Sequence, residues 1–377
     1  MPTILIAADI CPIEDNLPFF KSGDADNLVH DLLPEFQQAD LAIANLECPL
    51  IEHASPIAKT GPTFGESPDC INGIRSIGID VLGLANNHIL DHGSAGLKNT
   101  LEVCARAGIA TVGAGSNLRA AREVVVRQAG SARVGFLAVA EREFSIATKT
   151  SWGANPLNLV DFVRNVTERR KDFDYLVVLL HGAHEFQPIS PRIQDTCRFM
   201  IEMGANAVVV QQPHCLGGYE NYRGGHIVYG QGALIMDEAI YRKEKSFHEG
   251  FLVKLAIHAD FTSTMEIIPF VQSNPVPGAR RMRPEQEQEL RQRLEERSRW
   301  ILDEAFVETE WIKFCDTRKH GYLSAMLGHN RPLRLLNKNG LLERVLYGKR
   351  RLLSGRNIVC CETHREAVQT IFDAGLV

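Results

Sequence analysis

Residues 84 to 93 read LANNHILDHG: two amides, an imidazole, a carboxylate and a second imidazole, set down at once after the apolar run IGIDVLGL. Such groups are costly to bury unpartnered, and a plain turn does not need them all. The pattern recurs along the chain. ILIAAD ends at Asp9, and LAIAN ends in Asn45 with Glu47 just beyond. HGAHE supplies His181, His184 and Glu185, and VQQPHCLGG supplies Gln211, Gln212 and His214. With Asn86, Asn87, His88, Asp91 and His92 from the first stretch, these are hard oxygen donors and imidazoles, the ligands suited to Mn, Fe, Zn, Mg or Ca. A single carboxylate after a strand is most often a turn or cap residue, and a single histidine there most often a structural one. Repetition after successive apolar runs argues for one shared site, because ligands of open α/β sheets bind beyond the carboxyl ends of the strands.

The elements that must position these groups are legible as short apolar runs alternating with helical patterns. Ile4 to Asp9, Leu41 to Asn45, Ile79 to Ala85, Val134 to Ala140, Tyr175 to His181, AVVVQQ and HIVYGQG read as strands. Their unbroken apolar character indicates burial on both faces. NLVHDLLPEF, DCINGIRSIG, GLKNTLEVCARAG, NLVDFVRNVTERR and RIQDTCRFMIEMG read as helices between them. Alternation of this kind predicts a layered α/β domain. Glu249 to Gln272 carries two strand-like runs about the polar turn DFTST, which predicts a closing antiparallel hairpin. The expected organisation is a domain over 1–273, a Pro- and Gly-marked linker over 274–284, and a mainly helical extension over 285–377, opened by Pro284 at a first helical turn.

Composition narrows the classes. Hydrophobic residues make up 45% and charged residues 23%, which is ordinary for a globular chain. A net charge of -5 argues against a general nucleic-acid binder. No apolar run has the roughly 18 to 20 residues needed to span a bilayer, so no integral membrane segment is expected. MPTILIAADI has no basic leader and reads as a first strand. The nine cysteines are odd in number and form no CxxC pair, which suits reduced thiols. Together these predict a cytoplasmic location.

NLE, LANNHxxDxG, a later strand ending in HG, and PH followed by YxGxxIxYxxG resemble the CapA-type capsule-synthesis family, also called poly-γ-glutamate synthesis proteins, over about residues 3 to 272. The resemblance implies an α-β-β-α fold like that of the calcineurin-like metallophosphoesterases: a two-layer β-sandwich flanked by helices, here with a helical C-terminal extension. It implies one or two divalent ions (Mn, Fe, Zn or Mg) at the strand ends. In that frame Asp9 is a ligand of the first metal, Glu47 with Asn45 takes the bridging position, and Asn87 is a ligand of the second metal. His181 and His214 are imidazole ligands. Gln211 stands where the family shows a histidine, and would coordinate through its carbonyl oxygen. His88 is the general acid, supported by Asp91 and His92. Lys59, in AKTGPTFG, and Arg223, in NYRGGH, are offered as contacts for an anionic substrate.

Such a site supports phosphoester-type hydrolysis, with a metal-generated nucleophile and His88 protonating the leaving group, in the making of a capsule, a surface polysaccharide or a poly-γ-glutamate polymer. A second reading uses His88 and one of His184, Glu185 or His214 as opposed bases that epimerise an amino-acid residue in a peptide or polymer. A third is a binding protein that holds an anionic polymer without reaction. The expected partners are an anionic polymer, a peptide or a phosphorylated substrate. The C-terminal helices could also pack against a second copy, and the basic stretch KRRLLSGR is expected to be a solvated helix face.

Overall fold

The computed structural model describes residues 1–184, 189–342 and 349–361, with 364, 365, 367, 368 and 371. It separates into two compact units, Met1–Glu308 and Thr309–Val377. The first contains sixteen strands: β1 (Thr3–Ile10), β2 (Leu41–Leu46), β3 (Val81–Gly83), β4 (Ala110–Val112), β5 (Ala114–Gly115), β6 (Val125–Ala129), β7 (Ala132–Ala140), β8 (Gly153–Ala154), β9 (Tyr175–His181), β10 (Ala207–Gln211), β11 (Tyr219–Tyr222), β12 (Gly225–Val228), β13 (Ala233–Ile235), β14 (Glu249–Ile257), β15 (Ser263–Gln272) and β16 (Ala279–Arg281). One sheet runs β16-β15-β14-β1-β2-β3-β4, with β13 beside the end of β1. The other runs β11-β12-β10-β9-β7-β6.

The two sheets pack face to face, and the alternation of side chains along the second sheet shows it. Phe136, Ala138, Val177, Leu179 and Val209 join the core shared with the first sheet. Their neighbours Leu137, Val139, Val178, Leu180, Val208 and Val210 turn the other way, onto Phe162, Val166, Ile193, Cys197 and Met200 of the helices Leu159–Arg169 and Pro191–Glu202. Both faces of these strands are covered, which is why they read as continuous apolar runs. Gly83 lies where the sheets approach closely, since a Cβ there would stand 2.9 Å from Leu179. Helices Ile71–Ile77 and Gly93–Arg106 contribute Ile74, Ile77, Leu97 and Val103 to the core of the first sheet. This is the expected α-β-β-α arrangement.

Parallel pairing brings the strand ends together. Asp9 of β1 stands opposite Asn45 of β2, and Asn45 opposite Gly83 of β3. In the second sheet His181 of β9 stands opposite Gln211 of β10 and Ala140 of β7. The expected closing hairpin is β14 and β15, paired antiparallel from Glu249↔Val271 to Ile257↔Ser263.

Some local expectations are corrected. NLVHDLLPEF is not one helix: it is a helix to Val29, a 3-10 turn and a new helix from Leu33. Pro34 has no N–H to donate and its ring would crowd the carbonyl four residues back, and His30 takes φ 40. The 274–284 stretch includes β16, an edge strand on β15. The helix Pro284–Trp300 buries Leu290 and Leu294 in the main core and lies in the first unit. The second unit is helical, with Arg331–Leu336 and Lys349–Cys360 among its elements. No described helix is long and apolar enough to cross a membrane.

Candidate metal centre and proton-transfer site

Asp9, Glu47 and His214 converge. One ligand atom of each lies within 4.8 Å of the others, and all three side chains are buried. Asp9 is held by the side chain beside it and by backbone: Asn45 Nδ2 donates to its Oδ1 at 2.8 Å and the Gln212 N–H to its Oδ2 at 3.0 Å. The chain after β10 is bent to bring that N–H and His214 into place. Gln212 and His214 both adopt left-handed backbone angles, φ 87 and 50, a conformation that side chains other than glycine's resist and that is found where the surrounding structure enforces it. His214 stands 3.6 Å from Asp9 and 3.8 Å from Glu47. His181 lies between, with Nε2 3.3 Å from Glu47 Oε1 and 3.1 Å from Asn87 Oδ1, and Nδ1 3.4 Å from Asn45 Nδ2.

The electrostatics of this cluster are those of a carboxylate pair without enough positive charge. Burial first, and the Glu47 charge second, push Asp9 up to about 7. Burial, then His181 and His88, push His214 down to about 3, so its imidazole is neutral and free to be a ligand. Gln211 donates from Nε2 to Ala7 O, while its buried Oε1 meets no hydrogen-bond donor among the described residues. An orphaned amide oxygen beside two buried carboxylates and the neutral His214 imidazole fits a divalent cation, because oxygen donors of this kind lack a counter-charge.

The second group is built differently. His88 Nδ1 lies 2.7 Å from Asp91 Oδ2, which also accepts from the Phe64 N–H at 2.7 Å. Lys59 Nζ lies 2.5 Å from Asp91 Oδ1. The Phe64 ring packs on His88 at a centroid distance of 4.5 Å. Asn86 ties the two groups together: its Nδ2 donates to Asn45 Oδ1 and Leu46 O, and its Oδ1 accepts from the His88 N–H. Glu47, Asn87, His88, Gln212 and His214 open onto a pocket of about 640 Å³, lined also by Lys59 to Pro62, Phe64 and Arg142 to Phe144.

The structure therefore brings Asp9, Asn45, Glu47, Asn87, His88, Asp91, His181 and His214 into one place, with Gln211 packed behind. Three expected residues lie elsewhere. His92 turns to the covering loop: its Nδ1 accepts from the Ser55 N–H and its ring lies against Gly65. Arg223 does not line the pocket; the β11–β12 turn carries it to Tyr222 and Glu202. His184 is exposed and does not line the pocket. Glu185 lies outside the described residues. Sequence reasoning gave no role to Asn86, Phe64 or the backbone N–H of Gln212. Asn86 stood in the right motif, but nothing in the sequence marks a phenylalanine 24 positions upstream as a partner of His88.

The class that the fold and site define is a layered α-β-β-α protein with a carboxylate–imidazole cluster at its strand ends. Within it the chain belongs to the family of bacterial capsule synthesis proteins PGA_cap, whose sequence model matches residues 4–238. Capsule biosynthesis protein CapA of Bacillus anthracis is 26% identical over 254 residues, 65% of this chain and 61% of that protein. PGA biosynthesis protein CapA of Bacillus subtilis (strain 168) is 27% identical over 261 residues, 67% of each chain. The chain thus spans 61% to 67% of the length of these relatives. Among solved structures, a hypothetical protein from Thermus thermophilus is similar at 13% identity and a TM-score of 0.46, over 71% of this chain and 99% of that one.

Proposed function

We propose that this chain is a metal-dependent hydrolase of phosphoester type that serves the making of a capsule, a surface polysaccharide or a poly-γ-glutamate-like polymer. The observation that carries the reading is the convergence of Asp9, Glu47 and His214, with Glu47, His214 and His88 lining one pocket. A divalent cation (Mn, Fe, Zn or Mg), or two, held by Asp9, Glu47 and His214 with Asn45, Asn87, His181 and Gln211 about them, would supply Lewis acidity and an activated water.

The chain's own residues do the rest. Asp91 accepts from Nδ1 of His88, which leaves Nε2 as the nitrogen that gives or takes a proton at the substrate. The Asn86 bridge fixes the distance between that imidazole and the carboxylates, so acid and ligands move as one body. Phe64 and Phe144 exclude water from the mouth, and Arg142 offers a cation to an anionic group of the substrate. Epimerisation is less well supported, because it needs a second base across from His88. Of the three candidates, His184 is off the pocket, Glu185 lies outside the described residues, and His214, held near 3, is a weak base suited to ligation.

The test is metal content by elemental mass spectrometry of the purified protein, beside Asp9→Ala and His214→Ala. Near-stoichiometric metal that is lost in both variants, with release of alcohol from generic phosphoesters by the parent, is the expected result. A parent that takes up no divalent ion, and gains no thermal stability from any, ends the hydrolase reading.

A further inference from the structure

Lys59 reads in the sequence as a hand held out to an anionic substrate. In the structure it points inward. Its side chain is 2% exposed and that of Asp91 is 0% exposed. The ammonium reaches Asp91 Oδ1 at 2.5 Å and the Asn87 carbonyl at 3.3 Å, and stands 3.1 Å from His88 Nδ1. We propose that Lys59 is a positioning residue, which through Asp91 fixes the ring and the tautomer of His88, and that the 51–64 segment is the clamp that delivers it. The proposal rests on the reading of His88 as the proton-transfer group, but its central claim concerns the state of that imidazole whether or not the reaction is hydrolysis.

The clamp is visible in its anchors. Nothing between Ile51 and Gly65 is helix or strand. Its attachments run to the segment that carries His88: the Ser55 N–H to His92 Nδ1 at 2.8 Å, the Ile57 N–H to the Asp91 carbonyl at 2.9 Å, the Phe64 N–H to Asp91 Oδ2 at 2.7 Å, and Lys59 itself. Asp91 is thereby fully engaged, one oxygen with Lys59 and the other with the Phe64 N–H and His88. The contact from His88 Nδ1 to the carboxylate, 2.7 Å, is a hydrogen bond only if Nδ1 carries the proton. With the ammonium in place the carboxylate is anchored, and its second oxygen is held 2.7 Å from Nδ1. Without it, a buried carboxylate would have lost its counter-charge and be free to turn away from the ring. Arg142, by contrast, is exposed at the pocket mouth with no ion pair among the described residues, so it and not Lys59 is the cation placed to meet an anion arriving from solvent.

The experiment is long-range proton–nitrogen NMR of the full chain labelled with nitrogen-15 histidine, supplemented with Zn²⁺, with His88 assigned by loss of its signals in His88→Gln. The parent should show the Nδ1-protonated tautomer at His88. Lys59→Met should shift His88 to a tautomer-averaged pattern, and Lys59→Arg should restore the parent pattern. A folded Lys59→Met that keeps the parent pattern overturns the proposal. Should Lys59→Met fail to fold, Lys59→Gln, which leaves Asp91 in place and removes only the ammonium, takes its place; averaging at His88 is again expected, and retention of the parent tautomer again overturns it. With p-nitrophenyl phosphate as substrate, Lys59→Met should lower kcat by about 10²-fold with little change in KM. A raised KM at unchanged kcat would return Lys59 to substrate contact and overturn the proposal. Lack of hydrolysis by the parent would count against the hydrolase reading alone, and the tautomer measurement would still decide the role of Lys59.

Discussion

The two halves of the pocket solve opposite electrostatic problems. On one side Asp9 and Glu47 are buried facing each other, with the neutral His214 beside them, and burial first and Glu47 second push Asp9 up to about 7. On the other side Asp91 is just as buried, yet it is met by Lys59, by His88 Nδ1 and by the Phe64 N–H. The first half has the donor set of a cation site, and the second is met by partners from the chain itself. The difference also lies in what positions them. The first is set by strand register and by the strained turn after β10; the second is set by a loop that reaches across from the other side of the mouth. Buried carboxylates alone therefore say little about role: the partner of each one decides whether it is a ligand or a support.

That contrast can be broken by one substitution made in both places. Asp91→Asn removes the charge that compensates a buried ammonium, and severing one partner of a buried pair costs about 3–5 kcal/mol. Chemical denaturation of the metal-free protein should show a loss of that order. Asp9→Asn should act in the other direction. The folded pKa of Asp9, about 7, lies above the unfolded value near 3.9. Between the two the folded state keeps a proton that the unfolded state has released, so metal-free stability falls as pH rises from about 4 to about 7. At pH 8 the Asn variant escapes that loss, although an amide N–H would then face a donor, either Asn45 Nδ2 or the Gln212 N–H, at a cost of about 1 kcal/mol. The expected result is a net gain on the order of 2 kcal/mol in the metal-free protein, and no gain from added metal. A loss of stability at both sites would mean that the two halves are alike, and that the ligand cluster is self-sufficient.

Much of this was legible in the sequence, for a physical reason. Strands covered on both faces must be apolar throughout, so their polar ends stand out sharply, and Asp9, Glu47, Asn87, His88, His181 and His214 could be collected by eye. The division of β7, β9 and β10 between two cores was hidden by that same apolarity, since Val178 and Leu179 face opposite ways with equal hydrophobicity. The short strands β4 and β6 and the edge strand β16 were missed because short or edge segments carry too little pattern. Lys59 and His92 were both found in the sequence, but their contacts were not: Lys59 is paired with Asp91, and His92 with the Ser55 N–H. Sequence spacing places residues on a segment, but it does not tell which of two neighbours turns toward the site and which turns toward the loop that covers it.

His92 gives the gentlest test of the same contrast. It sits one residue from Asp91 and could still be thought to steady His88, but its recorded contacts are with the clamp. Replacing it with Ala removes the acceptor of the Ser55 N–H, which costs about 1 kcal/mol, and takes away a ring that lies against Gly65. The pH dependence should identify the group. Burial holds the His92 pKa below its ordinary value near 6.5, so the unfolded chain binds a proton there before the folded one does. The stability this confers is present above about pH 6.5 and is lost as pH falls through the lower, folded value. His92→Ala should lack that part of the acid-side decline seen in the parent, measured as the difference between their denaturation midpoints across pH 5 to 8. Metal content and the His88 tautomer should be unchanged. If the His88 signals moved with this substitution, the support of the imidazole would extend through both neighbours, and the boundary drawn here between the proton-transfer group and its cover would shift by one residue.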